Sequence, residues 1–421
     1  MIRSLLLTAA LLAAPAAHAQ AVAITGGKVV TNTGAGIIEN GTVVINNGRV
    51  VSVSTAQPPA NAKVIDARGK WVTPGLFAAF SRAGLSEIDA EDSADDVSAP
   101  DSKLQISLHA ADAFNPDDTA IPVSRIEGVT RLALVGAPGE GIFGGYGALA
   151  DTSGTFDSLQ NREAFMFAQF GDSGAAATGG SRAALWAWLA AAIDDAKSYP
   201  RGFGDDRQGD VLSRREAAAL KPIVDGKIPL MVEAHRASDL LQIIALQKRE
   251  PKMKLIILGA AEGWRVANEL AAAKIPVIVN PLTNLPDRFE ILAATLENAG
   301  RLSAAGVQVA IADPGDATHN TRFIQQLAGN AAANGMTWDA AFAAITRVPA
   351  TIHGRNDLGV LQAGATADVV IWDGDPLELM SSPDAVYING VETSLVSRQT
   401  KLRDRYLNLN ETVPQAYERS N

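Results

Sequence analysis

The length, composition and charge of the chain exclude several classes of protein. Its 421 residues are 47% hydrophobic, which is enough apolar material for one large core or two smaller ones. A formal net charge of −10 argues against nucleic-acid binding, because phosphate contacts require concentrated Lys and Arg, and it gives no reason to expect an anionic membrane partner. The absence of cysteine excludes disulfides and thiolate metal sites.

The N-terminal segment has the organisation of a secretory signal. Met1-Ile2-Arg3 is a short basic start, residues 4–14 are an apolar run too short to span a bilayer, and Ala17-His18-Ala19 fits an A-x-A cleavage site. A buried N-terminal helix would not account for all three features. We therefore expect residues 1–19 to be a signal peptide and the mature protein to be periplasmic, without a membrane span.

Short strands are predicted near both ends of the mature chain. They are rich in β-branched residues and are separated by Asn-Gly pairs such as Asn40-Gly41 and Asn47-Gly48, which are hairpin signals. The predicted strands lie at residues 22–24, 28–30, 42–45, 50–53, 368–372 and 385–388. The N-terminal block is therefore expected to be a small β-sheet module without a helix, and the chain returns to strands near its C-terminal end.

Between residues 74 and 357, predicted strands alternate with Ala-rich helices. Strands are predicted at residues 75–80, 131–135, 164–170, 228–234, 254–258, 275–280 and 307–312. Helices are predicted at residues 181–198, 213–224, 238–247, 263–273, 289–305, 322–334 and 338–347. This alternation indicates βαβ units and a parallel sheet, and about seven or eight units favour a TIM (β/α)8 barrel.

Two segments of this region have both a functional and a plain interpretation. Residues 83–118 carry an acidic run that could bind metal, but such runs are usually solvated, so a hydrated loop over the barrel mouth is favoured. Residues 139–147 are glycine-rich but lack the Lys and Ser/Thr of a phosphate-binding loop. We interpret them as a glycine-rich loop of the barrel.

Two motifs frame the barrel. Pro74-Gly75-Leu76 enters its first strand, and the segment Leu358-Gly359 to Ala367-Asp368 opens the closing strands. Together and in this order they resemble the amidohydrolase superfamily, a group of metal-dependent hydrolases with imidazolonepropionase-like and periplasmic members, whose motifs read PGL-x-D-x-H-x-H and LG-x-L-x-x-G-x-x-AD.

The resemblance implies an α/β fold in which a TIM barrel is combined with a small discontinuous β-sandwich. The barrel would occupy residues 73–357, and the sandwich would combine residues 20–72 with residues 358–396. Residues 397–421 are polar and are expected to form a C-terminal surface tail.

The resemblance also implies a ligand set for one zinc-type divalent metal, which activates water and polarises a carbonyl. The family supplies a histidine pair from strand one, a lysine or glutamate from strand four, histidines from strands five and six, and an aspartate from strand eight. Here the strand-one positions hold Phe80 and Arg82, and the strand-six position holds Gly259. None of these side chains is a metal ligand, so we expect either no metal or one divalent ion.

The remaining candidates lie on strands five and eight. Glu233 and His235 are two residues apart, so they point to the same side of a strand, either as metal ligands or as a hydrogen-bonded pair in the barrel mouth. Asp313, or Asp316 in a shifted alignment, matches the aspartate that acts as general base in active relatives. A turn aspartate before Pro-Gly is an equal alternative for Asp313. His319, on the following loop, is a candidate substrate contact or a solvent-exposed residue.

Arg82 brings a permanent positive charge to a ligand position. It could partly replace a missing cation by pairing with Asp313 or Glu233, or it could bind a substrate carboxylate. His109 and His353 are interpreted as structural residues.

Two functions follow from these residues. The first is an exported amidohydrolase-like hydrolase that acts on C–N bonds of small amides or cyclic amides, with weak or absent metal catalysis. The second is a non-catalytic relative, or pseudoenzyme, that binds a small amide-like ligand or assembles with an intact amidohydrolase paralogue in a homo- or hetero-oligomer. The sequence leaves open whether the chain is an enzyme.

Overall fold

The structure is a computed structural model that describes residues 20–88, 91–203, 208–315 and 317–407. Its strands form two eight-stranded sheets. The predicted signal peptide at residues 1–19 lies outside the described residues.

The strands follow one another in three groups along the chain. The first group is β1 (Val22–Val30), β2 (Ile37–Asn46), β3 (Arg49–Ser54), β4 (Lys63–Asp66) and β5 (Trp71–Pro74). The second group is β6 (Leu76–Ser81), β7 (Val129–Leu134), β8 (Phe143–Asp151), β9 (Leu159–Gln169), β10 (Leu230–Ala234), β11 (Leu255–Gly259), β12 (Val277–Val279) and β13 (Val309–Ile311). The third group is β14 (Val369–Trp372), β15 (Pro383–Ile388) and β16 (Val391–Glu392).

The first sheet combines the first and third groups. Its order is β16-β15-β14-β5-β1-β2-β3, and β4 pairs with β1. Strands from the two ends meet where β14 runs antiparallel to β5, with Val369 opposite Pro74 and Trp372 opposite Trp71. The predicted α/β class, with a barrel and a separate β-structure built from both chain ends, is confirmed.

The Asn-Gly pairs have two different roles in this sheet. Asn47 and Gly48 have φ values of 48° and 74° and join β2 to β3, as a tight hairpin turn requires. Asn40-Gly41, which was expected to form a hairpin, lies inside β2 instead. Asn40 has a φ of 51°, and the β1–β2 register shifts beside Gly41, so this pair marks an irregularity within the ladder.

The second sheet is the barrel, and its strands follow sequence order from β6 to β13. The pairs β6–β7 and β9 through β13 are parallel, whereas β8 runs antiparallel to both neighbours. The interpretation of residues 139–147 as a loop was therefore wrong, because β8 begins at Phe143. The glycines of β8 stand where β-branched residues would indicate a strand. They allow close packing, because a Cβ on Gly147 would lie 2.3 Å from the Phe165 ring.

Helices are present at most of the predicted places. They are α1 (Ala110–Ala113), α2 (Ala120–Arg125), α3 (Gly171–Ala177), α4 (Arg182–Ser198), α5 (Arg214–Val224), α6 (Ala237–Arg249), α7 (Ala267–Ala273), α8 (Asn298–Ala304), α9 (Ile324–Ala333), α10 (Trp338–Ala343), α11 (Arg347–Ile352) and α12 (Arg398–Leu407). The hydroxyls of Ser181, Ser213 and Thr337 cap α4, α5 and α10 by accepting a backbone N–H. The helix expected at residues 289–305 is shorter: a single 3-10 turn, Phe289–Ile291, precedes α8.

The acidic side chains of the loop after β6 are exposed to solvent. The described side chains of Glu87, Glu91, Asp95 and Asp96 are exposed, which agrees with the interpretation as a solvated loop. Further along, the loop lies against α5, where the Glu216 carboxylate accepts hydrogen bonds from the backbone of residues 105–107. No helix within the described part of the chain is both long and apolar enough to cross a bilayer.

A buried ion pair joins the barrel to the first sheet. Arg131 on β7 donates from Nε and Nη2 to the two oxygens of Asp368, at 2.5 and 2.8 Å, and also to Asn389 at 2.6 Å. Burial alone would lower the pKa of Arg131, but Asp368 and Asp151 more than offset this and raise it. The aspartate of the closing Ala367-Asp368 motif is therefore a structural residue.

Candidate active site at the barrel mouth

The Glu233–His235 pair lies where β10 reaches the mouth of the barrel. Glu233 is the penultimate residue of β10, and His235 directly follows the strand. Because parallel barrel strands place their carboxyl ends at one face, the end of β10 lies beside the ends of β9 and β11. The neighbouring positions at this face include Gln169 and Gly259.

His235 connects an acidic and a basic side chain. Its Nε2 lies 3.3 Å from Glu233 Oε1 and 3.1 Å from Arg288 Nη2. Gln169 Nε2 donates to the other oxygen of Glu233 at 2.9 Å. Burial alone would raise the pKa of Glu233, but the hydrogen bonds from His235 and Gln169 and the charge of Arg288 together lower it. Glu233 is therefore held as a carboxylate.

The His235 ring lies directly against the backbone of Gly259. A Cβ at position 259 would lie 2.5 Å from His235 Cε1 and 2.8 Å from Nδ1, which is closer than any real side chain tolerates. Gly259 also has a φ of +95°, a conformation that favours glycine. A histidine at position 259 could not coexist with this position of the His235 ring.

The strand-one positions are occupied by packed side chains. Phe80 is 3% exposed and meets Phe167 edge-on, with ring centroids 6.1 Å apart. Arg82 is buried just after β6, and its guanidinium carbon lies 5.5 Å from the centre of the Phe80 ring. Both side chains are therefore buried in the protein interior.

Asp313 follows β13 and is held by amides. Its Oδ1 accepts from Asn280 Nδ2 at 3.1 Å and from the Gly315 N–H at 3.2 Å, and its Oδ2 accepts from Asn320 Nδ2 at 3.2 Å. The bond to Gly315 is typical of a turn aspartate. His319 is exposed in the 3-10 turn Thr318–Phe323, and Asp316, an alternative alignment for Asp313, lies outside the described residues.

The candidate metal ligands do not converge in this structure. Glu233 and His235 contact each other, whereas the hydrogen bonds described for Asp313 come from Asn280, Asn320 and its own turn. Across residues 20–88, 91–203, 208–315 and 317–407, no three His, Asp or Glu side chains are grouped so that they could share an ion. A catalytic zinc site needs about three protein ligands, so the described residues do not fit one as they are arranged.

The remaining described histidines pack in structural positions. His353 lies against Phe165 and Phe77, with ring centroids 4.9 and 5.9 Å away, and burial lowers its pKa to about 4. His109 stacks on Tyr146 at 4.7 Å.

Sequence reasoning missed three partners of the candidate residues. Arg288 lies in an irregular segment and Asn320 in the 3-10 turn Thr318–Phe323, where no periodicity marks a side chain as inward-facing. Asn280 directly follows β12, so its position at a strand end was the only available signal.

The structure thus combines an α/β barrel with a carboxylate and an imidazole side chain at the carboxyl ends of its strands. A model described as "Amidohydrolase family" matches residues 256–398. The fold is similar to that of an amidohydrolase from Thermotoga maritima MSB8, with a TM-score of 0.79 and 25% identity over 89% of this chain and 99% of that one. The matched segment and the shared fold support assignment of the chain to the amidohydrolase superfamily.

Two further proteins are similar to this chain. A prolidase structure complexed with N-methylphosphonate-L-proline has a TM-score of 0.55 and 16% identity, and the match covers 90% of this chain and 100% of that one. Amidohydrolase tasK from Hapsidospora irregularis is 21% identical over 369 residues, which cover 80% of this chain. The match spans only 37% of that longer relative.

Proposed function

We propose that this protein is an exported hydrolase-class member of the superfamily, directed at C–N bonds of small amides or cyclic amides. We also propose that metal-dependent hydrolysis by the chain alone is weak or absent. The observation that supports weak or absent metal-dependent hydrolysis is the contact of His235 Nε2 with both Glu233 and Arg288. The imidazole that best matches a family metal ligand is thereby engaged by side chains of its own chain.

The strand-one residues support the same proposal. Phe80 offers no lone pair, and the guanidinium of Arg82 does not lose its proton at neutral pH. With Gly259 at the strand-six position, three positions that supply imidazoles in the family offer none here. Without a metal, the described residues have no group that lowers the pKa of water to near neutrality.

A second candidate function is ligand binding or partnership without catalysis. A cleft of about 870 Å³ begins at Arg236, the residue after His235, and is also lined by Glu262, Arg265, Phe289 and Leu292. This mixture of apolar and charged groups suits a small amide with a polar end. An intact amidohydrolase paralogue is the other candidate partner, and it would supply the metal chemistry.

Metal analysis of the full-length protein, purified without chelators, tests the first proposal. We expect well under one transition ion per chain and no increase in hydrolysis of small amides when Zn²⁺, Mn²⁺ or Co²⁺ is added. One tightly held ion per chain, together with metal-dependent turnover, would contradict the proposal. Co-purification of a paralogue that restores hydrolysis would support partnership, whereas binding of an amide by the isolated chain would support ligand binding.

Export has its own test. N-terminal sequencing of the protein recovered from the periplasmic fraction should begin at Gln20. Recovery of an uncleaved chain beginning at Met1 in the cytoplasm would refute the proposed signal peptide.

A further inference from the structure

The Nε2 atom of His235 faces two groups with opposite requirements. Arg288 can only donate hydrogen bonds, so its contact at 3.1 Å requires a lone pair on Nε2. The Glu233 carboxylate can only accept, so its contact at 3.3 Å requires a proton on the same nitrogen. A neutral imidazole nitrogen cannot satisfy both contacts at once.

A cation beside the pair removes this conflict. If Nε2 keeps its lone pair, then both the nitrogen and the Glu233 carboxylate are electron-rich groups that a positive charge stabilises. A divalent metal ion would supply this charge in an intact site, and Arg288 is the described positive group that contacts Nε2 here. Its charge also helps to lower the pKa of Glu233.

The position of Arg288 is supported by its neighbours. Its Nε lies 3.5 Å from Oε1 of Glu290, a carboxylate that is 6% exposed. Glu290 in turn accepts the backbone N–H of Asp172 at 2.9 Å and lies 3.5 Å from Arg182 Nη2. Arg288 is thus bound on one side to Glu290 and on the other to His235, although about half of its side chain is exposed.

We propose that the Arg288 guanidinium is the resident cation of the Glu233–His235 pair and keeps a divalent ion from binding there. This inference rests on the proposed function, in which the chain alone holds no catalytic metal. It gives a loop arginine the cation role for which Arg82 was also a candidate. The ligand class that Arg288 excludes is a divalent transition ion bound by one carboxylate and one imidazole.

Removal of the guanidinium should therefore open a weak metal site. We expect Arg288→Met to bind one Co²⁺ per chain about 10-fold more tightly than the wild type, because a nearby positive charge is removed. Calorimetry and the visible spectrum of bound cobalt measure this gain. The gain should disappear in Arg288→Met/His235→Ala. Arg265→Met is the matched control, because Arg265 is also half exposed and contacts a buried carboxylate, Glu262, at 3.2 Å.

The outcomes of this experiment separate the two proposals. Stoichiometric metal in the wild type would refute the proposed absence of metal catalysis. A metal-free wild type whose Arg288→Met variant, folded by circular dichroism, binds Co²⁺ no better would refute the role of Arg288 alone. A gain that persists without His235 would also refute it.

Discussion

The contact between Gly259 and the His235 ring can be tested by Gly259→Ala. The new Cβ would lie 2.5 Å from Cε1 and 2.8 Å from Nδ1 of the ring, at a backbone φ of +95°. An L-residue in this conformation costs roughly 1–2 kcal/mol, and the forced movement of the ring costs roughly 1–3 kcal/mol more. We therefore expect the free energy of unfolding to fall by roughly 2–5 kcal/mol.

Gly306 provides a matched control for the backbone part of this cost. It has a φ of +86°, and a Cβ there would meet nothing within 4 Å. Gly306→Ala should therefore lose only about 1–2 kcal/mol in urea unfolding. The excess loss in Gly259→Ala measures the clash with the ring.

A double-mutant cycle with His235→Ala then identifies the partner. Once the ring is absent, Gly259→Ala should cost about as little as Gly306→Ala, so the two mutations should be non-additive by roughly 1–3 kcal/mol. Equal losses for Gly259→Ala and Gly306→Ala would refute the described position of the ring. Additivity in the cycle would refute it as well.

Two further predictions concern residues away from this contact. Asp368→Asn should lower the free energy of unfolding, measured in urea, by about 3–5 kcal/mol, because Arg131 loses a buried partner. Glu297→Gln is the control at an exposed ion pair and should change this free energy by less than about 1 kcal/mol. Equal effects would contradict this reasoning. The pKa of His353 is about 4 in the folded state, against a reference value of 6.5 for the unfolded state. Between these pH values the unfolded state binds more protons than the folded state. The free energy of unfolding should therefore fall by about 3 kcal/mol as the pH drops from 6.5 to 4. His353→Phe should remove that part of the pH dependence of urea unfolding, and an unchanged slope would exclude His353 as its source.

Much of the fold could be predicted because its signals are local. Alternation of strands with capped helices such as α4 and α5 needs no knowledge of distant contacts, and Asn47-Gly48 specifies its turn directly. Strand β8 was missed because its glycines, including Gly147, remove the β-branched pattern while allowing close packing against Phe165. The helix expected at residues 289–305 is shortened because the segment after β12 is irregular.

The candidate site was predictable only where neighbours in sequence are neighbours in space. The spacing of Glu233 and His235 places both at the mouth, and the structure brings them into contact. Arg288 is 53 residues from His235, in a segment without periodicity, so no pattern in the sequence connects the two. Such contacts depend on the path of the loop after β12, which only the tertiary structure defines.

The described interior of the barrel also explains how the fold can be stable without a bound ion. Phe77, Phe80, Phe165 and Phe167 are each at most 3% exposed and fill the space between the strands with apolar side chains. Full burial of one such side chain contributes about 1.5–3 kcal/mol. A polar site that lost its metal would leave unpaired carboxylates, each costly to bury, but Glu233 is bonded to Gln169 and His235. The proposed loss of metal is therefore compatible with an intact barrel, because apolar packing and internal hydrogen bonds stabilise the mouth in place of the ion.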